Sequence, residues 1–173
     1  KKYVLRSIPS GIFQQGQLNI IGNGVVLDPI LFKGEAQDLE KSGIDIKKVL
    51  KISKKAHLIL PTHRLLDAAY EALKGAAKIG TTGKGIGPTY TDKVSRDGLR
   101  IGESLSPNFI EKYNNAKNRH IKLLTAITGQ VADIEAVEKE WLEAIEYIKT
   151  FDLIDSEFVI NKNLQAGKTI LCE

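Results

Sequence analysis

The chain lacks methionine altogether and has one cysteine, Cys172, among its 173 residues. A single cysteine excludes a disulfide framework within the chain, so we expect a reducing compartment and hence the cytoplasm. Long apolar runs are also missing, since stretches such as residues 20–27 (IIGNGVVL) are far too short to span a bilayer. The first residues carry no apolar block of the signal-peptide kind. We therefore expect no membrane association.

Histidine is scarce, and its placement argues against a metal centre. His57, His63 and His120 have no further histidine, cysteine or carboxylate at metal-ligand spacing. We predict that they pack in the interior or join polar networks, and that the chain binds no metal. Cys172 lies in a strand-like apolar run, which predicts a buried structural thiol.

The charge balance is mildly basic. Lysine and arginine number 25 against 21 aspartates and glutamates, a net charge of +4. Such a charge suits an anionic ligand but is also common in proteins that are simply well solvated. The lysines at positions 47, 51 and 55 have no aromatic residues between them for base stacking, so they predict a solvated edge and no nucleic-acid partner.

Alternating strand and helix signals predict an α/β fold. Residues 22–24 (GNG) could form a type I′ hairpin turn or the exit from a strand, and we favour the exit. Asp28 followed by Pro29 predicts a capped helix over residues 29–41. A second unit follows, with a strand over residues 49–60 and a helix from Pro61 that Gly75 ends. We predict a mostly parallel sheet with flanking helices.

The sequence pattern in the rest of the chain predicts two further strands and a helical hairpin. Residues 3–8 and 169–172 read as strands, the latter after a helix that Ala166 and Gly167 end. Residues 107–128 and 133–151 read as two amphipathic helices, which predicts an inserted hairpin lobe over residues 105–151. Its facing stripes would be formed by Leu123, Ile127, Val137, Trp141, Ile145 and Ile148.

Residues 80–96, GTTGKGIGPTYTDKVSR, concentrate glycine ahead of a short basic helix. Glycine allows positive φ and close approach of the main chain to a ligand, and the threonine hydroxyls add donors for an anion such as phosphate. A helix beginning at Pro88 would add the partial positive charge of its N-terminus. The pattern GxxxxGK[ST] is not matched here, so nucleotide hydrolysis is not indicated.

On that helix a basic face is expected. Thr89, Lys93, Arg96 and Arg100 follow one another at spacings of four, three and four. Arg96 is the best phosphate ligand among them because guanidinium donates in pairs. The alternative is structural: Asp92 precedes Arg96 by four residues and could pair with it, and the glycines could form only a turn.

At these residues the chain resembles the adenylosuccinate synthetase family. The signature GIGPTYTDKVSR, residues 85–96, is joined by the blocks IPSGI, IGNGVVLDP, KISKKAHLILPTHRLLD and TILCE, so that the resemblance covers essentially the whole chain. It implies a fragment of a P-loop-NTPase-like core and a ligase that joins inosine monophosphate and aspartate at the expense of GTP. It also implies a homodimer.

The resemblance implies roles for three residues. Thr82 would contact the phosphate of inosine monophosphate, Arg96 would reach across the dimer to the partner's nucleotide, and Lys93 would act electrostatically or structurally near the site. The family's GDEGKGK and NAGHT segments, with the catalytic groups and the Mg²⁺ contact, have no counterpart here. We therefore expect residues 1–173 to be one incomplete domain without catalytic residues, inactive alone. Lys84 stands where arginine is common in the family.

Two other hypotheses about the function remain open when only the residues are considered. One is a non-enzymatic phosphate- or RNA-binding module that uses the same loop and helix. The other is a scaffold that assembles through the helical hairpin.

Overall fold

The computed structural model describes residues 4–77 and 80–173. The strands are β1 (Asn19–Ile21), β2 (Val26–Leu27), β3 (Leu50–Ser53), β4 (His57–Leu58) and β5 (Asp152–Ile154). The helices are α1 (Pro29–Lys41), α2 (Ile46–Val49), α3 (Pro61–Leu73), α4 (Ile86–Ser95), α5 (Phe109–Thr128), α6 (Glu135–Ile148) and α7 (Ser156–Gln165). Short 3₁₀ turns occupy Ser10–Phe13, Gly75–Ala77 and Ile101–Leu105.

Two small sheets form the centre, and both are parallel. The first has the strand order β1-β3-β5, with Ile21 opposite Ile52 and Ile52 opposite Leu153. The second pairs β2 with β4, with Leu27 opposite Leu58. Parallel neighbours need crossover connections, which the intervening helices supply. The predicted α/β class with a parallel sheet and flanking helices is confirmed.

The first strand-loop-helix unit forms as predicted. Residues 22–24 carry the chain from β1 to β2, which belong to different sheets, so this segment is a strand exit and not a hairpin. The Asp28 carboxylate accepts the N–H groups of Ile30 and Leu31, both at 3.1 Å, and so caps α1. Arg64 on α3 donates to the same carboxylate and ties the two units together.

The core is continuous across the first sheet and its helices. Its largest buried side chains include Phe32 on α1, Ile52 on β3 and Trp141 on α6. The Trp141 indole stacks on Tyr113 at 4.8 Å between ring centroids, and its Nε1 donates to the Ile59 carbonyl at 2.8 Å. That bond satisfies the one polar atom of an otherwise apolar side chain.

The two helices predicted over residues 107–128 and 133–151 are present as α5 and α6. Helix α5 packs along α3, and α6 packs along α1. Trp141, Ile145 and Ile148 are buried as expected, whereas Leu123 and Val137 are partly exposed. Both helices thus contribute to the body around the sheets, while the domain assignment of residues 1–173 and 105–151 stays a prediction.

Three predictions about strands are wrong. The single strand expected over residues 49–60 is divided into β3 and β4 by a turn at Lys54–Lys55. Residues 4–8 are not a strand because their main chain is satisfied by a side chain: the Glu35 carboxylate accepts the N–H groups of Arg6, Ser7 and Ile8. Tyr3, also in that prediction, lies outside the described residues.

The predicted strand over residues 169–172 is likewise not formed. Within the described residues this segment pairs with no strand, so its N–H and C=O groups join no ladder. Leu171 is 84% exposed, and Cys172 is exposed, which corrects its prediction as a buried thiol. Instead, Glu173 accepts the N–H of Ser10 at 3.1 Å. The helix before it ends at Gln165 with Ala166 as its C-cap, as predicted.

Replacing Trp141 by alanine tests the core. The change removes a fully buried indole, its stacking on Tyr113 and its bond to Ile59, so we expect a loss of about 3–5 kcal/mol in the free energy of unfolding. Urea unfolding followed by circular dichroism measures it. Phe158→Ala is the control, because Phe158 is 70% exposed and its loss should change stability by less than about 0.5 kcal/mol. Equal losses in both variants would contradict the description of the core.

Candidate functional site

The glycine-rich loop leads into α4, but the helix begins earlier than predicted. It starts at Ile86, two residues before Pro88, and Gly85 is its N-cap with φ of 75°. Gly80 and Gly83 also have positive φ, at 79° and 63°. These left-handed conformations are open to glycine and unfavourable for other residues, which explains the composition of the loop.

Carboxylates on α3 hold both ends of the loop. The Gly80 N–H donates to Glu71 at 2.6 Å, and the Gly85 N–H donates to Asp67 at 2.9 Å. The first of these bonds lowers the pKa of Glu71. Lys74 pairs with Glu71 at 3.2 Å. The loop therefore offers main-chain N–H groups of the kind that bind anions. In this structure two of these groups donate to carboxylates of α3.

The three residues for which the resemblance implies roles, Thr82, Lys93 and Arg96, lie at different points of this unit. Thr82 is exposed on the loop before α4, and Arg96 is exposed at the C-cap of the helix, so the two are at opposite ends of α4. A helix of ten residues is about 15 Å long. Lys93 donates from Nζ to the carbonyls of Asn23 and Gly24, at 2.9 and 3.1 Å.

The predicted basic face is wrong. Thr89 is fully buried and its hydroxyl lies 2.9 Å from His63 Nδ1. The helix ends at Ser95, and Arg96 takes the left-handed conformation with φ of 69°. Arg100 lies beyond the helix and bridges to β4 at His57. The chain turns at Arg96, so helical spacing no longer aligns the later side chains with Thr89 and Lys93.

Arg96 is the one residue other than glycine with positive φ among residues 4–77 and 80–173. A left-handed arginine is strained by roughly 1–2 kcal/mol. Strain of this kind persists only where the surroundings impose it, and it is concentrated at functional sites. The guanidinium of Arg96 makes no ion pair with those described residues, so the alternative in which Asp92 pairs with Arg96 is also wrong.

Asp92 instead joins a buried cluster that sequence spacing missed. Its Oδ2 lies 3.1 Å from His63 Nε2, 2.9 Å from His120 Nε2 and 2.9 Å from Arg119 Nη2. These side chains come from α3, α4 and α5. The histidines are buried, and the prediction that His63 and His120 join a polar network is confirmed. His57 is buried too, and its Nδ1 has no hydrogen-bond partner within the described residues.

The cluster has the donor atoms of a metal site, since the ligand atoms of His63, Asp92 and His120 lie within 4.8 Å of one another. The Arg119 guanidinium, however, lies on the same carboxylate oxygen and 3.4 Å from His120 Nε2. It supplies positive charge at the place where a cation would bind. The geometry is therefore that of a hydrogen-bonded network, and the absence of a metal stays a prediction.

Burial and hydrogen bonding shift the pKa values of this cluster. Burial lowers the pKa of His63, because the charged ring loses water. Burial acts to raise the pKa of Asp92, but hydrogen bonds from His120 and His63 outweigh it and hold that pKa far below its usual range. Asp92 is therefore the negatively charged member of the cluster, and it faces the positively charged guanidinium of Arg119.

Comparison with known proteins identifies the family to which this chain belongs. The model of the family described as adenylosuccinate synthetase matches residues 1–173. The chain belongs to that family. The resemblance inferred from the motifs is thereby confirmed. No helix in the described parts of the chain is both long and apolar enough to cross a bilayer.

Relatives in the adenylosuccinate synthetase family are similar along the whole chain. The adenylosuccinate synthetase of Phocaeicola vulgatus is 65% identical over 173 residues, and that of Parabacteroides distasonis is 64% identical. In each case the match covers 100% of this chain and 40% of the relative. The chain thus spans less than half the length of the curated relatives it matches.

A solved structure of the family shares the fold. The structure described as fully ligated adenylosuccinate synthetase from Plasmodium falciparum matches with a TM-score of 0.76 at 30% identity, covering 97% of this chain and 39% of that one. The match includes parallel strands and flanking helices of the kind described above. The α/β assignment therefore rests on the fold of the family as well as on this chain.

Acid is expected to destabilise the chain through its buried histidines. His57 and His63 both have pKa values lowered chiefly by burial, so the unfolded chain takes up protons first as the pH falls through about 6.5. The free energy of unfolding should therefore decrease between pH 7.5 and 5.5. Asp92 acts with the same sign at lower pH, because its contribution is present above about 3.9 and is lost as the pH falls further.

Urea unfolding at a series of pH values measures this dependence. The double variant His57→Asn, His63→Asn lacks both groups and should show a flatter curve between pH 7.5 and 5.5 than the unchanged chain. A curve of equal slope would show that other groups control acid stability.

Proposed function

We propose that this chain is the central part of an adenylosuccinate synthetase, a ligase that uses GTP to join aspartate to inosine monophosphate. The observation that carries the proposal is the family match over the whole chain, together with the loop and helix at residues 80–96. This part would bind the phosphate of inosine monophosphate and supply a dimer contact. The chain alone would be inactive, and the full protein would work in the cytoplasm.

In this reaction GTP phosphorylates the 6-oxygen of inosine monophosphate, and the amino group of aspartate then displaces that phosphate. Mg²⁺ and a catalytic acid and base would come from segments outside the 40% that this chain spans. The residues of this chain would hold and orient the nucleotide, which lowers the entropic cost of bringing the reactants together.

The loop supports phosphate binding through exposed donors. Thr82 is exposed, and the main chain around it carries N–H groups of glycine and threonine ahead of the N-terminus of α4. The helix dipole adds partial positive charge there. A phosphate at this place would replace the Glu71 carboxylate as the acceptor for the Gly80 N–H.

Arg96 supports a site shared between two subunits. It lies at the far end of α4 from Thr82, is exposed, and has no ion pair with residues 4–77 or 80–173. A free guanidinium held in a strained conformation suits a phosphate on another subunit better than one beside its own Thr82. Lys93 would act structurally, because it fixes the Asn23 and Gly24 carbonyls.

The same helix offers an apolar surface for the second subunit. Ile86, Tyr90 and Val94 recur every four residues, and all three side chains are exposed on one face of α4. This face runs toward Arg96, so that burying it against a second copy would carry the arginine to the interface. Exposed apolar side chains in a continuous row are typical of association surfaces.

Mixing two variants of reduced activity tests the shared site in the full-length protein. We expect Arg96→Ala and Thr82→Ala each to reduce ligase activity by at least tenfold through a raised KM for inosine monophosphate, since each removes a phosphate contact worth about 1.5–3 kcal/mol. After dissociation and reassociation of an equal mixture, half of the dimers carry one intact site. Activity should then recover to about a quarter of the unchanged enzyme.

Formation of adenylosuccinate is followed by its absorbance, and each variant reassociated alone is the control. Recovery that does not exceed the average of the two variants would place Thr82 and Arg96 in the same subunit's site. Absence of GTP-dependent ligation in the unchanged full-length protein would end the proposal itself.

A charge on the apolar face of α4 tests the dimer. Val94→Glu places a carboxylate on a side chain that is 81% exposed in the single chain, so we expect no loss of folding and a shift from dimer to monomer. Light scattering after size exclusion of the full-length protein measures the mass. Val131→Glu is the matched control, because Val131 is 78% exposed but lies between α5 and α6. A dimer that survives Val94→Glu would exclude this face from the interface.

A further inference from the structure

The carboxylate of Asp92 is held from three sides. His63 from α3, His120 from α5 and Arg119 from α5 each place a nitrogen within 3.1 Å of the same oxygen, Oδ2. The side chain of Asp92 is 14% exposed, and both histidines are buried. A charge with so little access to water needs such donors, and their number fixes the position of the carboxylate.

The hydrogen bonds around His63 determine which of its nitrogens carries the proton. Its Nδ1 accepts the Leu60 N–H at 3.0 Å, so that nitrogen is unprotonated. Its Nε2 therefore bears the hydrogen and donates to Asp92. His120 is fixed from its other side by the Thr62 hydroxyl, 2.7 Å from Nδ1. Both rings are thus anchored to the start of α3.

The main chain of Asp92 closes the helix that its side chain anchors. Its carbonyl accepts the N–H groups of Arg96, Asp97 and Gly98, the last two at 2.9 and 3.0 Å. These bonds turn the chain at Arg96 into its left-handed conformation. Arg119 adds a second tie, since the nitrogen that binds Asp92 also donates to the Asp97 carbonyl at 3.3 Å.

The other end of α4 rests on the same histidine. A Cβ on Gly85 would lie 2.8 Å from the main-chain carbon of His63, so the last glycine of the loop touches His63 directly. Thr89, one turn further, places its hydroxyl 2.9 Å from His63 Nδ1 and bonds the Gly85 carbonyl at 2.7 Å. The cluster therefore positions both ends of α4: the start of the helix at Gly85 and its C-cap at Arg96.

We propose that Asp92 is a positioning residue: His63, His120 and Arg119 fix its carboxylate, and its carbonyl in turn holds Arg96 in the conformation that presents the guanidinium to a nucleotide phosphate. The inference rests on the proposed function, because it acts through Arg96. A metal site is disfavoured by the Arg119 guanidinium, which lies against both Asp92 and His120.

A double-mutant cycle in the full-length protein tests this role. Asp92→Asn keeps an acceptor of the same size but removes the charge that draws the three donors together. We expect the KM for inosine monophosphate to rise about tenfold while kcat changes little, since only the presentation of a binding group is impaired. In the Arg96→Ala background the same change should add less than about twofold. Asp97→Asn is the control, because the Asp97 side chain is 51% exposed and its carboxylate lies as far as 3.9 Å from the Arg119 guanidinium. The KM of this variant for inosine monophosphate should be unchanged.

The outcomes are separable. If Arg96→Ala alone leaves KM unchanged, the proposed role of Arg96 fails. If Arg96→Ala raises KM but Asp92→Asn raises it equally in both backgrounds, Asp92 does not act through Arg96 and the inference is overturned. Zinc that raises the melting temperature of the unchanged protein but not of Asp92→Asn would assign the cluster to metal binding, which also overturns it.

Arg119→Gln supplies a second variant in case Asp92→Asn does not fold. Arg119 is 42% exposed, so its replacement is tolerated more readily, and it removes one donor from Asp92 together with the tie to Asp97. It should raise KM in the same way and lose its effect in the Arg96→Ala background. A purely structural role predicts a lower melting temperature with additive effects on KM.

Discussion

A largely buried negative charge, Asp92, joins three helices of this structure. The Asp92 carboxylate lies where water is scarce, and an unpaired charge in such a place would cost several kcal/mol. Two histidines and an arginine surround it, and through them α3, α4 and α5 are held in one arrangement. The glycine loop and Arg96 are the two ends of α4, so their places relative to the sheet follow from this one contact.

Local chemistry is what the sequence predicted well. Asp28 caps α1 and Pro29 begins it because both effects act within one turn of helix. The parallel sheets follow from strands that alternate with helices, as the spacing of apolar residues indicated. The terminal segments were predicted less well, because a strand is defined by its neighbours. Residues 169–172 have strand composition but pair with no strand among the described residues, and residues 6–8 bond the Glu35 side chain instead.

The candidate site shows the same division. The positive φ of Gly80, Gly83 and Gly85 could be predicted because it is a property of a few consecutive residues, whereas the role of Thr82 rests on the family resemblance and stays a prediction. The cluster around Asp92 could not be predicted, since His63 precedes Asp92 by 29 residues and His120 follows it by 28. No periodicity joins positions on three different helices. The prediction of a basic helical face that includes Arg96 was wrong for a related reason. Helical spacing assumes that the helix continues, whereas the helix ends here because the Asp92 carbonyl accepts three N–H groups of the following turn.

The two ends of α4 are held by different kinds of contact, and the difference suits their proposed tasks. The main chain at Arg96 is turned by the Asp92 carbonyl, and the Asp92 side chain is itself fixed by three donors. The loop at Gly80 is held by Glu71, which accepts the Gly80 N–H with one oxygen and pairs with Lys74 through the other. A phosphate that took the place of Glu71 at the Gly80 N–H would therefore leave this carboxylate paired with Lys74 and not an unpaired charge. In the proposed site, one subunit would present an arginine whose main chain is fixed by Asp92, while its own loop would exchange one acceptor, Glu71, for the phosphate.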